Sequence, residues 1–317
     1  MNRKALVVGI DEYRNSKLDC CVKDAKDIAQ LLKANEDRTP NFEVRTLLSS
    51  NNDVNRKLLR EAIKTLFEDN KDVDISLLYF SGHGTSTDLG GYIVTSDAEE
   101  FDEGISIKEI VEIANQSAIR NKIIILDCCS SGVNSNAKEA KSVVEIAEGV
   151  TILTSSSNSG ISEGGAENSL FTSLMISALE GECADLLGNI LPSNIYAYID
   201  RSLGYWGQRP TFMTNVSSFT PIRQVNPVVD INILRNIVEY FPDPHAKYDL
   251  SPEYEPTEIS AKEDKVTIFG ELQCLTRSGL VRPSSKEHMY YEAMESGTCQ
   301  LTKSGQLYWK LMKNGRA

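Results

Sequence analysis

Ile75-Ser76-Leu77-Leu78-Tyr79-Phe80-Ser81-Gly82-His83-Gly84 runs from a nearly unbroken apolar stretch into a turn of small residues around one histidine. A short apolar run bounded by turn residues reads as a strand. The lack of polar alternation places it in the middle of a sheet covered on both faces. The flanking residues extend the pattern. Upstream, Lys4–Ile10 and Phe42–Leu48 read as strands. Cys21–Lys33, with Val22, Ala25, Ile28, Ala29 and Leu32 at helical spacing, and Val54–Phe67 read as amphipathic helices. Downstream, Ser106–Gln116 and Ser169–Leu179 read as helices, and Lys122–Leu126 and Val150–Thr154 as buried strands. Strands that alternate with helices imply an α/β fold: a parallel-rich sheet with helices on both faces.

In such a sheet, chemistry gathers beyond the carboxyl ends of the strands. Two strands end in turns rich in functional groups, Ser81-Gly82-His83-Gly84 and Asp127-Cys128-Cys129-Ser130-Ser131-Gly132. Neighbouring strands would bring these turns to one edge. His83 lies between glycines, which let a substrate come close to the backbone. Free cysteines are usually buried, but Cys129 leads into a polar turn and so is expected in the open. Cys128 is expected to point the other way. A thiol nucleophile, a base, oxyanion donors and a side-chain pocket are what peptide hydrolysis needs.

Composition narrows the choice. The chain has 317 residues, 41% of them hydrophobic, and a net charge of −12. It can bury a core, and it is too acidic to have phosphate gripping as its main task. No stretch reaches the ~18 apolar residues of a membrane span. Asp11 ends the first apolar run too early for a secretory leader. Seven scattered cysteines without a C-x-x-C pair fit reduced thiols in a cytoplasm, with neither a disulfide framework nor a structural metal site. A phosphate-binding G-x-x-x-x-G-K-[ST] loop and a G-x-S-x-G elbow are both absent.

The motifs together resemble the caspase-like cysteine peptidases, in particular bacterial metacaspase-type members. Tyr79–Gly84 is similar to the family's histidine motif. Leu126–Gly132 resembles D-x-C-x-S-G, with Ser130 where the family usually has His. The interval from His83 to Cys129 matches the roughly 50-residue separation seen in caspases. Val8-Gly9-Ile10-Asp11-Glu12-Tyr13, then Leu18 and Asp24-Ala25, is similar to the family's opening, and Ser169-Leu170-Phe171-Thr172 to a later motif. The resemblance covers roughly residues 3–220. It implies a caspase-like fold and a His83–Cys129 dyad, with Cys129 and not Cys128 as nucleophile. It also implies an oxyanion hole from the amides of Gly84 and Cys129. Caspases hold an acidic residue before the cut with arginines. Here Asp24 and Asp127 stand where metacaspase-like enzymes line the pocket for a basic side chain, which implies cleavage of protein substrates after Arg or Lys. The other readings are a solvated helix residue for Asp24 and a loop cap for Asp127. Self-cleavage after the nucleophile would fall on Lys138 or Lys141, unless that stretch is an ordinary surface loop. Some relatives require calcium. The acidic cluster Asp97, Glu99, Glu100, Asp102 and Glu103 lacks the EF-hand pattern and reads as a solvated loop, so no cofactor is expected to be required, with calcium left as the alternative. A role in bacterial defence or regulated death is a further implication of the resemblance.

Three segments are expected: a peptidase domain over 1–222, a proline-bearing linker with one helix (Ile231–Tyr240) over 223–263, and a small module over 264–317. The module's Leu275–Val281 and Leu301–Gly305 resemble parts of a winged helix. A helix over Phe269–Ser278, a hairpin around Met289–Leu301 and a last helix over Lys303–Met312 are expected within it. Its excess of Lys and Arg over Asp and Glu is too small to indicate DNA binding, so docking of a regulatory protein is the preferred reading. A catalytically silent scaffold and a DNA-binding regulator remain the alternatives to a peptidase.

Overall fold

The computed structural model describes residues 2–14, 16–51, 53–69, 72–88, 90–99, 102–128, 145–155, 167–204 and 209–315. They form two compact units, residues 1–184 with 189–225, and 185–188 with 226–317.

The first unit starts with strand β1 (Asn2–Gly9), helix α1 (Cys21–Lys33), strand β2 (Glu43–Leu48), helix α2 (Arg56–Phe67) and strand β3 (Val73–Ser81). A side sheet follows, formed by β4 (Gly84–Thr87), β5 (Gly90–Glu99) and β6 (Asp102–Ser106). Next come α3 (Ile107–Gln116), β7 (Asn121–Asp127), β8 (Val150–Thr154), α4 (Leu170–Ser177), the short β9 (Asn189–Ile190), α5 (Pro192–Leu203), β10 (Thr211–Asn215) and β11 (Arg223–Gln224). The central sheet has the order β10-β8-β7-β3-β1-β2, parallel except for β10. β9 and β11 pair separately.

Alternation along each strand splits the side chains between two cores. Ala5, Val7, Ile75, Leu77 and Tyr79 face the α1, α4 and α5 layer. Leu6, Val8, Leu78, Phe80 and Ile124 face the α2 and α3 layer. This is the two-sided burial expected from the unbroken apolar strands. Asn55 caps α2 and Ser106 caps α3 through their side chains. Glu109 joins the two helices through Arg60, whose Nε and Nη2 reach its carboxylate at 2.6 and 3.0 Å.

β2 lies on one side of β1 and β3 on the other, so the direction of strand order reverses at β1. The crevice beyond that reversal is where ligands bind in open α/β sheets. β1, β3 and β7 end level there: Gly9 is opposite Ser81, and Ser81 opposite Asp127. Gly9 lets α1 sit close, since a Cβ there would lie 2.4 Å from the Cys21 carbonyl oxygen. The side sheet β4-β5-β6 has no counterpart in the sequence reading.

The second unit contains α6 (Ile231–Tyr240), β12 (Lys247–Asp249), α7 (Glu263–Arg277), β13 (Val281–Pro283), α8 (Met289–Met294), β14 (Thr298–Leu301) and α9 (Lys303–Lys313). Its antiparallel sheet has the order β12-β14-β13. The hairpin expected around Met289–Leu301 is corrected. Met289–Met294 is helical, and β14 pairs with β13 and β12 instead. Helical spacing buries Met289, Glu292 and Ala293 together and leaves Tyr290 and Tyr291 outside. α7 begins earlier than the expected Phe269. α6 covers the expected residues. The rest of the segment read as a linker adds Phe241, Leu250 and Tyr254 to the core that holds Phe269, Leu272 and Leu275.

Candidate active site

The turn after β3 is laced to both neighbouring strands. The Ile10 amide donates to the Ser81 carbonyl at 3.0 Å, and the Gly82 amide to the Asp127 carbonyl at 3.2 Å. The histidine turn and the end of β7 are thereby in direct contact, as the strand endings suggested.

His83 is half-buried. Its amide donates to the Tyr13 hydroxyl at 2.8 Å, and its ring lies 4.6 Å from the Tyr13 ring, centroid to centroid, tilted by 57°. Its Nε2 is 2.8 Å from the Ser16 carbonyl oxygen. A carbonyl only accepts, so this contact puts the ring hydrogen on Nε2 and leaves Nδ1 as the acceptor. The Val94 amide donates to the His83 carbonyl at 2.9 Å. Gly84 and Ile93 are therefore a non-hydrogen-bonded pair of the antiparallel ladder, with the Gly84 N–H directed away from β5. A cavity of about 320 Å³ opens beside His83, lined by Tyr13, Arg14, Ser16, Gly84, Val94 and Thr95 among others.

Asp24 and Asp127 are both fully buried. Asp24, in the first turn of α1, takes three hydrogen bonds. Ser81 Oγ donates to Oδ2 at 3.0 Å, and Asn168 Nδ2 and the Ser169 amide donate to Oδ1 at 3.0 and 3.1 Å. Burial, and secondarily the charge of Asp127, push the Asp24 carboxyl up to about 6 against the pull of these donors. Asp127 Oδ2 accepts from Ser169 Oγ and, at 2.7 Å, from Thr172 Oγ1. Thr172 Oγ1 spends its one hydrogen on Asp127. The 2.5 Å contact with Tyr79 must then be a donation from the tyrosine hydroxyl. Ser169 also caps α4 by accepting from the Thr172 amide at 3.1 Å. A helix N-terminus thus rests on two buried carboxylates, a favourable polarity. The donors named here for both acids are neutral groups.

The solvated-helix reading of Asp24 is excluded by its burial. Asp24 and Asp127 come together on Ser169, whose amide donates to the first and whose hydroxyl donates to the second. Cys128 is buried in the core opposite Tyr79. Cys129, Lys138, Lys141 and Glu100 lie outside the described residues, as do the side chains of Asp102 and Glu103. Asp97 Oδ1 accepts from the Arg56 amide at 2.9 Å, and Glu99 pairs with Arg14 at 2.5 Å. The Cys20 and Cys21 sulfurs and an Asp24 oxygen lie within 4.8 Å of one another. Both Asp24 oxygens already accept hydrogen bonds, and a hydrogen bond with Cys20 together with burial raises the Cys21 thiol, so the trio does not suit a metal. The sequence reading assigned no chemical role to Tyr13, Ser16, Tyr79, Ser81, Asn168, Ser169 or Thr172. Tyr13, Tyr79, Ser81, Ser169 and Thr172 nevertheless stand within the motifs that carry the resemblance, whereas Ser16 and Asn168 lie outside them.

The family model for the caspase domain matches residues 2–195. No curated protein matches the chain. Among solved structures, the crystal structure of protein GSU0716 from Geobacter sulfurreducens is similar, with a TM-score of 0.51 and 18% identity over 72% of this chain and 98% of that one. At that identity the likeness concerns the fold. Among the described residues, no helix is long and apolar enough to cross a membrane.

Proposed function

The chain belongs to the caspase domain family, a family of cysteine peptidases, and on that premise we propose that it is an endopeptidase cutting protein chains after Arg or Lys. The observation that carries the specificity is the pair of buried acids, Asp24 and Asp127, brought together beside the histidine turn. Carboxylates recognise cationic side chains, and the guanidinium fork suits them best.

The proposed mechanism takes its residues from the family resemblance and is supported by the Nε2 contact of His83 with Ser16 O. His83 Nδ1 takes the thiol proton of Cys129. The thiolate attacks the scissile carbonyl carbon, and the amides of Gly84 and Cys129 hold the oxyanion. The protonated ring then gives its proton to the leaving amine as the C–N bond breaks. Water, losing a proton to His83, opens the thioester and releases the acid. Ser16 O keeps Nε2 protonated throughout, so one ring nitrogen handles every transfer.

Fluorogenic peptides with Arg, Lys or Asp before the cut, with and without calcium, test this on wild type, Cys129→Ala and Cys128→Ala. Turnover of Arg and Lys peptides, lost only in Cys129→Ala, is expected. A preference for Asp would overturn the role of the two acids. Silence on every peptide would favour a scaffold. Intact-mass analysis of the incubated protein, against Lys138→Ala and Lys141→Ala, tests self-cleavage.

For the second unit, a protein-docking role is favoured over DNA. α7 opens on Glu263 and Asp264, both exposed, and acidic residues at a helix start repel phosphate.

A further inference from the structure

Residues 11–20 connect β1 to α1, and one carboxylate closes their neck. Asp11 Oδ1 and Oδ2 accept from the first two amides of α1, Cys21 at 2.8 Å and Val22 at 3.1 Å. The Asp11 carbonyl accepts from the Leu18 amide at 3.0 Å. The amides of Asp11 and Glu12 donate to Ser49 Oγ, just past β2, at 2.9 and 3.3 Å. From this braced loop three contacts converge on His83: the Tyr13 hydroxyl on its amide, the Tyr13 ring against its imidazole, and Ser16 O on Nε2.

Gly82 supplies a second, independent observation. A Cβ there would stand 2.4 Å from the Tyr13 hydroxyl oxygen and 2.8 Å from Phe80 Cζ. Gly82 is not among the glycines with positive φ. It is therefore glycine for room and not for backbone shape, and the room is occupied by Tyr13. Burial holds the phenol well above its ordinary range, so it stays neutral while the dyad titrates.

We propose that Tyr13 is a positioning residue for the general base: its hydroxyl and ring, carried on the loop that Asp11 closes, fix His83 in the orientation that leaves Nδ1 to the nucleophile. The proposal rests on the peptidase reading above. A ring released from this clamp faces the thiol for less of the time, and the thiolate loses the neighbouring imidazolium that stabilises it.

Tyr13→Phe keeps the ring and removes the acceptor. Two readouts separate positioning from folding: peptide turnover, and the pH profile of Cys129 alkylation by iodoacetamide followed on the Cys129 peptide by mass spectrometry. Expected is a kcat lower by about tenfold, KM within about twofold of wild type, and an alkylation acid limb moved to higher pH. Gly82→Ala, which displaces the same hydroxyl, should give the same shift, and the double variant should be no worse than either single one. Wild-type kcat and an unmoved limb in Tyr13→Phe would overturn the proposal, as would fully additive effects of the two substitutions. If wild type cleaves no basic peptide, the peptidase reading fails, yet the alkylation limb still decides. A limb moved to higher pH in His83→Ala, and moved part of that way in Tyr13→Phe, supports positioning. A limb that does not depend on His83 overturns it.

Discussion

The two sides of the crevice are built by opposite means. His83 is half-buried and held from one loop, by a phenol, a ring face and a main-chain carbonyl. Asp24 and Asp127 are fully buried and tied to hydroxyls and an amide from the end of β3 and the start of α4. A group that passes protons has to stay reachable, and its supports should not titrate with it. A group that holds charge gains strength out of water, but burying a charge weakens the fold. Substitutions on the histidine side should therefore cost rate with little loss of stability, whereas those on the carboxylate side should cost both.

His83→Ala is the largest break. Loss of the base should lower kcat by about 10²–10⁴-fold. The melting temperature should hardly move, because the turn is fixed by the amides of Ile10 and Gly82 and not by the ring. Calorimetry beside peptide assays checks this. A large drop in melting temperature would mean that the histidine side is structural too.

The carboxylate side should respond to pH in two opposed ways. Asp24 takes up its proton near pH 6 in the folded chain, against an ordinary value of 3.8. As pH falls through 6, the pocket loses negative charge and KM for Arg peptides should rise. Between those two values the folded state binds more protons than the unfolded one. The contribution of Asp24 to stability therefore falls as pH rises through that window, and acid relieves it. Asp24→Asn should raise KM by about tenfold or more at neutral pH and erase this pH dependence. KM measured from pH 5 to 8 on both proteins would show it. A wild-type limb that persists in the variant would assign the titration elsewhere.

The same contrast explains what could be read from the sequence. The apolar runs Ile75–Phe80 and Ile123–Leu126 sit between two helix layers and have no other stable environment, so the parallel sheet and its order of elements were legible. The place of His83 in a turn at the end of β3 was legible because flanking glycines are a local signal. The supports of Asp24 were not. Ser81, Asn168 and Ser169 lie far from it in sequence, and nothing local says that a first-turn aspartate will be buried. The side sheet β4-β5-β6 pairs partly polar strands, as in Ser86 with Gly91, so it lacks a periodic pattern. α8 escaped for a related reason. Its six residues are too few for a helical period, and Glu292, which fixes it, does so by bonding to main-chain amides.

Glu292 sharpens the comparison from the other unit. It too is a buried acid, yet the amides of Ser285, Lys286 and Thr298 outweigh burial and hold its carboxyl below the ordinary 4.5. Its stabilisation is present above that value and is lost as pH falls through the folded value. Glu292→Gln should destabilise the second unit by about 1–3 kcal/mol. Hydrogen exchange of residues 281–301 should speed up in the variant at pH 7, and in wild type on acidification. Protection that is indifferent to both changes would show that the carboxylate does not hold the β13–β14 connection.

Thr172→Val is the smallest and most discriminating change. It keeps the shape of the side chain and removes the oxygen that donates to Asp127 and accepts from Tyr79. Ser169 still bonds to Asp127, so the carboxylate keeps a donor and KM for Arg peptides should rise only about twofold, within the modest worth of one hydrogen bond. The Tyr79 hydroxyl, fully buried, loses its acceptor. The stability loss should then be about 1–2 kcal/mol, most of it from that stranded hydroxyl and little from the acid. Adding Tyr79→Phe separates the two contributions. Removing both partners of a buried hydrogen bond is close to neutral, so the double variant should regain most of the lost stability while keeping the small change in KM. Denaturant midpoints of the two variants decide it. If the double variant stays as weak as the single one, the loss comes from Asp127 itself, and the buried acid depends on Thr172 more than its second donor allows.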